Sequence, residues 1–101
     1  MKAGKSYRTD LIHDLKQPSE ASAYLNTALE EADKQGFLLA LRNVVEANGG
    51  MSAFAAKTGI NRVSLYKILS SKGNPEFASL MTIFNALGIQ LRLKPRNKSA
   101  A

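Results

Sequence analysis

Between Met51 and Pro75 the chain carries Lys57, Arg62, Lys67 and Lys72 without one acidic residue, and interleaves them with Asn61, Val63, Ser64, Tyr66 and Ser70. Such a mixture suits a polyanion. Guanidinium and ammonium groups neutralise phosphates, while hydroxyl and guanidinium donors and a small apolar side chain can read base edges. Enzyme chemistry is poorly served. Ser64-Leu65-Tyr66-Lys67 matches the S-x-x-K pattern of serine acyl-transfer enzymes, but their accompanying motifs are missing and 101 residues are too few for that fold. His13 is the only histidine and there is no cysteine, so a His-rich metal site, thiolate chemistry and disulfides are excluded. No catalytic residue, metal or cofactor is assigned.

The basic groups need a rigid element to present them. Asn61 is a suitable N-cap for a helix running from Arg62 to about Ser71. With Leu65 pointing inward, Ile68 and Leu69 share its side, whereas Val63, Ser64, Tyr66, Lys67 and Ser70 occupy the outer arc and Arg62 its edge. The preceding "MSAFAAKTG" predicts a short helix with small Ala55 where the two should cross, and Gly59 supplies a left-handed residue for the turn. Ile60 can tuck beneath it. Residues 51–71 thus read as a helix-turn-helix, whose second helix can enter a DNA major groove. Arg62 and Val63 are best placed for base edges, with Ser64, Tyr66, Lys67 and Ser70 in reach of bases or phosphates. Ser52, Lys57, Lys72 and the capping region at Asn74 bracket the groove as phosphate contacts.

The rest of the chain reads as scaffold. Pro18 and Ser19 open a helix, with Ser19 as N-cap, Ala21, Tyr24, Leu25, Ala28 and Leu29 on one face, and Gly36 as its close. Phe37, Leu38, Leu41, Val44 and Val45 mark the inner side of the next helix, stopped by Asn48-Gly49-Gly50. Asn74-Pro75-Glu76 signals another start, with Asn74 as cap, Pro75 at the first helical position and Glu76 as an acid in the first turn, followed by Phe77, Leu80, Phe84 and Leu87 and a stop at Gly88. Ile89, Leu91 and Leu93 then alternate with Gln90, Arg92 and Lys94, the period of a half-buried strand. The expectation is a mainly α domain over residues 19–101, with five helices and a C-terminal strand over 89–94, preceded by an arm at 1–18. A lone strand needs a partner, which can be the arm of its own chain or a second copy. In the second case Ile89, Leu91 and Leu93 would form the homodimer element.

The formal net charge of +6 is unevenly spread. Residues 19–35 carry Glu20, Glu30, Glu31 and Asp33 against Lys34 alone, so this acidic stretch and the basic one described above ask for different partners. No apolar run approaches the roughly 20 residues of a membrane span, and the N-terminal stretch lacks an uninterrupted hydrophobic region for a signal peptide. The expected setting is the cytoplasm.

From "GGMSAFAAKTGINRVSLYKILSSKGNPEFASLMTIFNALGIQLRL" the sequence resembles the Xre-type (Cro/phage-repressor-like) helix-turn-helix proteins. More narrowly, "SLY", the Gly-Asn-Pro link, the helix ending in "ALG", and the earlier "AYLNTALEEAD" and "DLIHDLK" resemble the branch of probable addiction module antidote proteins. This resemblance implies a lambda-repressor-like DNA-binding fold and the role of an antitoxin in a type II toxin-antitoxin module. Such a protein represses its own operon on double-stranded operator DNA and neutralises a cognate toxin, here of the RelE/HigB-like mRNA endonuclease type. A basic toxin would be met by the acids Glu20, Glu30, Glu31 and Asp33. Many Xre-type proteins have glutamine where Met51 stands, so any phosphate clamp from that turn falls to Ser52. Two other readings compete: a stand-alone phage-type repressor, and a protein-interaction module without specific DNA binding.

Overall fold

The computed structural model describes residues 14–31 and 33–96, and among these it holds the helices α1 (Pro18–Glu31), α2 (Lys34–Ala47), α3 (Gly50–Thr58), α4 (Arg62–Ile68) and α5 (Phe77–Ala86). Their boundaries follow from how the end groups are satisfied. Pro18 occupies the first helical position of α1, where its missing N–H costs nothing, and the Ala21 N–H donates to the Gln17 carbonyl at 2.8 Å. Ser19 therefore lies in the first turn and is not the cap. Gly36 does not close α1 either. Asp33 caps α2 instead, its carboxylate accepting the Gly36 N–H at 2.8 Å, which draws Gly36 into the first turn of α2. At α5 the expected cap Asn74 gives way to Glu76, whose extended backbone precedes Phe77 and whose side chain makes no capping bond.

Packing runs α1 on α2, α2 on α3, and α3 on both α4 and α5. The core gathers Leu41, Val44 and Val45 of α2, Phe54 of α3, Leu65 and Leu69 at α4, and Ile83 and Phe84 of α5. Leu15, assigned by sequence to the arm, is also buried there, and the Asn48 amide ties the region down by donating to the Leu15 and Val44 carbonyls at 3.2 and 2.8 Å. Between α1 and α2, the Asn43 amide donates to the Tyr24 hydroxyl at 2.8 Å. Two expected inner residues, Leu29 and Phe77, are exposed, and Ile83 takes a core place the spacing had not singled out.

The expected C-terminal strand does not form among the described residues. Ile89 packs against the core and its N–H donates to the Phe84 carbonyl at 2.9 Å, but residues 90–96 make no backbone-to-backbone hydrogen bond with any other described residue. The physical reason is that alternation orders the side chains but only a neighbouring strand supplies a ladder, and none stands beside it among the described residues. Residues 1–13 of the expected arm and the tail beyond 96 lie outside the described residues. No helix among those described is long and apolar enough to cross a membrane.

Gly73 closes the turn after α4 by close approach. It is buried, and a Cβ there would run into the Ile68 carbonyl oxygen, a backbone atom that cannot swing away. Gly73→Ala is expected to destabilise the fold by about 1–3 kcal/mol, read as a lower urea midpoint at unchanged slope.

Candidate nucleic-acid interface

The turn between α3 and α4 satisfies its own backbone. Gly59 adopts φ +79°, a conformation that costs a non-glycine residue about 1–2 kcal/mol, and its N–H donates to the Ala55 carbonyl at 2.9 Å. The Thr58 hydroxyl donates to the Phe54 carbonyl at 3.0 Å and accepts the Ile60 N–H at 3.2 Å. Asn61 then caps α4, its side-chain oxygen accepting the N–H groups of Val63 and Ser64 at 2.8 and 3.2 Å. Ala55 is buried where small size was expected, and Ile60 packs against the core.

Leu65 and Leu69 are both 0% exposed, which turns the opposite side of α4 outward. Arg62, Val63, Ser64, Tyr66 and Lys67 are exposed there, as the wheel predicts. Ser70 is half-buried, and its hydroxyl folds back to donate to the Lys67 carbonyl at 2.9 Å. Lys57 in the last turn of α3 and Lys67 in the last turn of α4 each lie at the end where a helix dipole favours a cation. Lys72 is exposed just beyond α4. Among the described residues, Lys57, Arg62, Lys67 and Lys72 form no ion pair, the one pair found being Arg42–Glu46.

Two contacts knit the face together. The Arg62 guanidinium donates from Nη1 to the Ser52 hydroxyl oxygen at 3.1 Å, which joins the first turns of α3 and α4. Beside Ser52, Met51 is only 3% exposed and belongs to the core, so no phosphate contact comes from its side chain. Tyr66 is covered on one face by Arg42 of α2, whose guanidinium carbon lies 5.3 Å from the ring centroid, within cation–π range. Arg42 Nε is also 3.8 Å from Glu46 Oε2. Sequence reasoning missed Arg42. A one-dimensional pattern shows that its side of α2 is not the inner one, but not that this flank meets the outer face of α4.

The predicted acidic residues are elsewhere. Glu20, Glu30 and Glu31 are exposed on α1, whereas the Asp33 carboxylate is engaged at the start of α2. Leu91 and Leu93, proposed as dimer residues with Ile89, are exposed at the C-terminal segment.

Comparison with known proteins now assigns the chain. The family model of the probable addiction module antidote protein matches residues 5–95. The chain belongs to this family. An uncharacterised protein of Haemophilus influenzae is 38% identical over 85 residues, which cover 84% of this chain and 87% of the relative. No solved structure matches. Membership makes the protein an addiction-module antidote, that is, an antitoxin, and implies a cognate toxin as its partner.

Asn61 bears directly on the geometry of this antidote's basic face. Replacing it by alanine leaves two N–H groups of α4 without their acceptor, so Asn61→Ala is expected to lower stability by about 1 kcal/mol in urea unfolding, while Asn61→Asp retains most of it.

Proposed function

We propose that this antidote is the antitoxin of a type II module, that it represses its operon by placing α4 in the major groove of operator DNA, and that it neutralises a RelE/HigB-like toxin by protein contact. In this reading α3, the turn and α4 are a helix-turn-helix of the Xre type, and the chain binds without catalysing. The observation that carries it is the basic face around α4: four cations stand between residues 51 and 75 with no acid among them, Arg62 and Lys67 on α4 itself, Lys57 at the end of α3 and Lys72 just beyond α4, and two buried leucines lock the helix.

Roles follow from position. Arg62, in the first turn and steadied by Ser52, is the bidentate donor to a guanine edge, and Val63 beside it meets a thymine methyl. Ser64 and Lys67 flank them. Tyr66, held by Arg42, offers its hydroxyl to the groove wall, and Arg42 itself adds a cation beside it. Lys57 and Lys72 contact phosphate and contribute affinity without sequence preference. One α4 reads only a few base pairs, so two copies on a two-fold operator, with their helices roughly 34 Å apart, supply the specificity.

The toxin falls to the other charge pole. Helix α1 carries Glu20, Glu30 and Glu31 and no basic residue, a surface suited to a basic RNA-cleaving partner. A stand-alone repressor needs no such partner, and family membership therefore supports the antitoxin reading over it.

Binding to a duplex from the protein's own upstream region, beside a scrambled duplex and across a salt series, tests the operator half. Arg62→Ala is expected to shrink the preference for the upstream duplex by about 1–3 kcal/mol, roughly 5- to 150-fold, whereas Lys57→Ala weakens both duplexes alike and lowers the salt slope by about 1. Equal binding to both duplexes by the unaltered protein, fading with salt, would falsify sequence readout. For the toxin half, Glu30→Lys with Glu31→Lys is expected to weaken toxin affinity by roughly tenfold in calorimetry, leaving duplex binding intact. Unchanged affinity removes α1 as the toxin surface.

A further inference from the structure

Arg42 differs from the other cations of the basic face in how it is held. Its guanidinium carbon lies 5.3 Å from the Tyr66 ring centroid, and Glu46, one turn further along α2, brings Oε2 to 3.8 Å from Nε. The ring and the carboxylate thus steady the group without using its far end. Among the described residues the Arg62 guanidinium donates to Ser52, whereas the two Nη groups of Arg42 donate to nothing, on a side chain that is 35% exposed. Tyr66 is open in the same way. The Tyr24 hydroxyl accepts the Asn43 amide, but no described residue engages the hydroxyl of Tyr66, which is 42% exposed.

Position on α4 says what these donors face. Tyr66 follows Arg62 by four residues, one turn further along the outward side of the helix. When the second helix of a helix-turn-helix enters the major groove, its N-terminal residues meet base edges. Tyr66, a turn behind them, with Arg42 beside it from another helix, falls at the groove wall, where the sugar-phosphate backbone runs. We infer that Arg42 and Tyr66 together form a binding site for one backbone phosphate of the duplex, with the Nη groups as a bidentate donor pair and the Tyr66 hydroxyl as a further donor. The ring and Glu46 position the guanidinium before DNA arrives, so less side-chain freedom is lost than at an exposed lysine such as Lys72. Lysine is no substitute at position 42, because one ammonium cannot rest on the ring and also present two parallel donors. The inference deepens the operator reading and rests on it only for α4 lying in the groove of a duplex.

Titration of the full chain with the upstream and scrambled duplexes carries the test. Arg42→Ala is expected to weaken both alike, roughly tenfold, and to lower the salt slope by about 1, since one phosphate contact is lost. Arg42→Lys keeps the charge and is expected to cost roughly 2- to 5-fold in the otherwise unaltered chain, but less than about twofold beside Tyr66→Leu, because the advantage of the guanidinium depends on the ring. Tyr66→Phe keeps the ring, so there the cost of Arg42→Lys should persist. Helical circular dichroism should stay unchanged throughout, as neither side chain belongs to the core. Arg42→Ala that binds both duplexes as the unaltered protein does overturns the inference. So does Arg42→Lys that matches the unaltered protein, which makes Arg42 a solvated charge only, and so does Arg42→Ala that shrinks the preference for the upstream duplex as Arg62→Ala does, which makes it a base contact. The readout is affinity for both duplexes, so an unaltered protein without preference removes sequence readout and leaves the phosphate site standing.

Discussion

Seven residues are far fewer than the roughly 12–15 at which even a good isolated helix becomes marginal in water, so α4 exists only because the core holds it. Leu65 and Leu69 are the grip. Each is fully buried, and burying a leucine contributes about 1.5–3 kcal/mol, so two of them outweigh the weak propensity of a run containing Val63, Ser64 and Tyr66. The same two side chains set the rotation of α4 about its axis. Once they point inward, Arg62, Val63, Ser64, Tyr66 and Lys67 have no freedom to be anywhere but outside.

Around that anchor the contacts become polar and specific. Gly59 reverses the chain, Asn61 caps α4, and Ser52 reaches across the turn to the Arg62 guanidinium at 3.1 Å. Arg42 approaches from α2 and lies over Tyr66. Three helices thus contribute to one face, which gives long side chains such as Arg42 and Arg62 a defined position. The hydrogen bonds lie in exposed or half-exposed surroundings and contribute modestly to stability; their effect is on geometry.

Charge is unevenly divided along this antidote. Helix α1 is acidic without a compensating base, and the segment from α3 to Pro75 is basic without an acid. An antidote must hold a cognate toxin. Concentrating each sign on its own stretch lets one small domain offer two electrostatically distinct surfaces.

Most of the helical plan was legible in the sequence, because period and capping chemistry are local. The inner positions of α2 and α4, the turn at Gly59 and the Asn61 cap all follow from spacing of three and four and from residues that tolerate special backbone angles. Competing caps were less legible: Ser19, Gly36 and Asn74 are each good end signals, yet Pro18, Asp33 and Glu76 set the ends, since neighbouring helices decide which turn is completed. Exposure of Leu29 and Phe77 was likewise invisible, as a helical pattern does not say how far its neighbour extends. The sequence by itself determined which side of α4 would face out and what charge it would carry, because helical geometry and two leucines suffice for that. Only the tertiary structure decided that Arg62 would meet Ser52, that Arg42 would cover Tyr66, and that residues 89–94 would find no strand partner among the described residues, because each depends on where a distant segment lies in space.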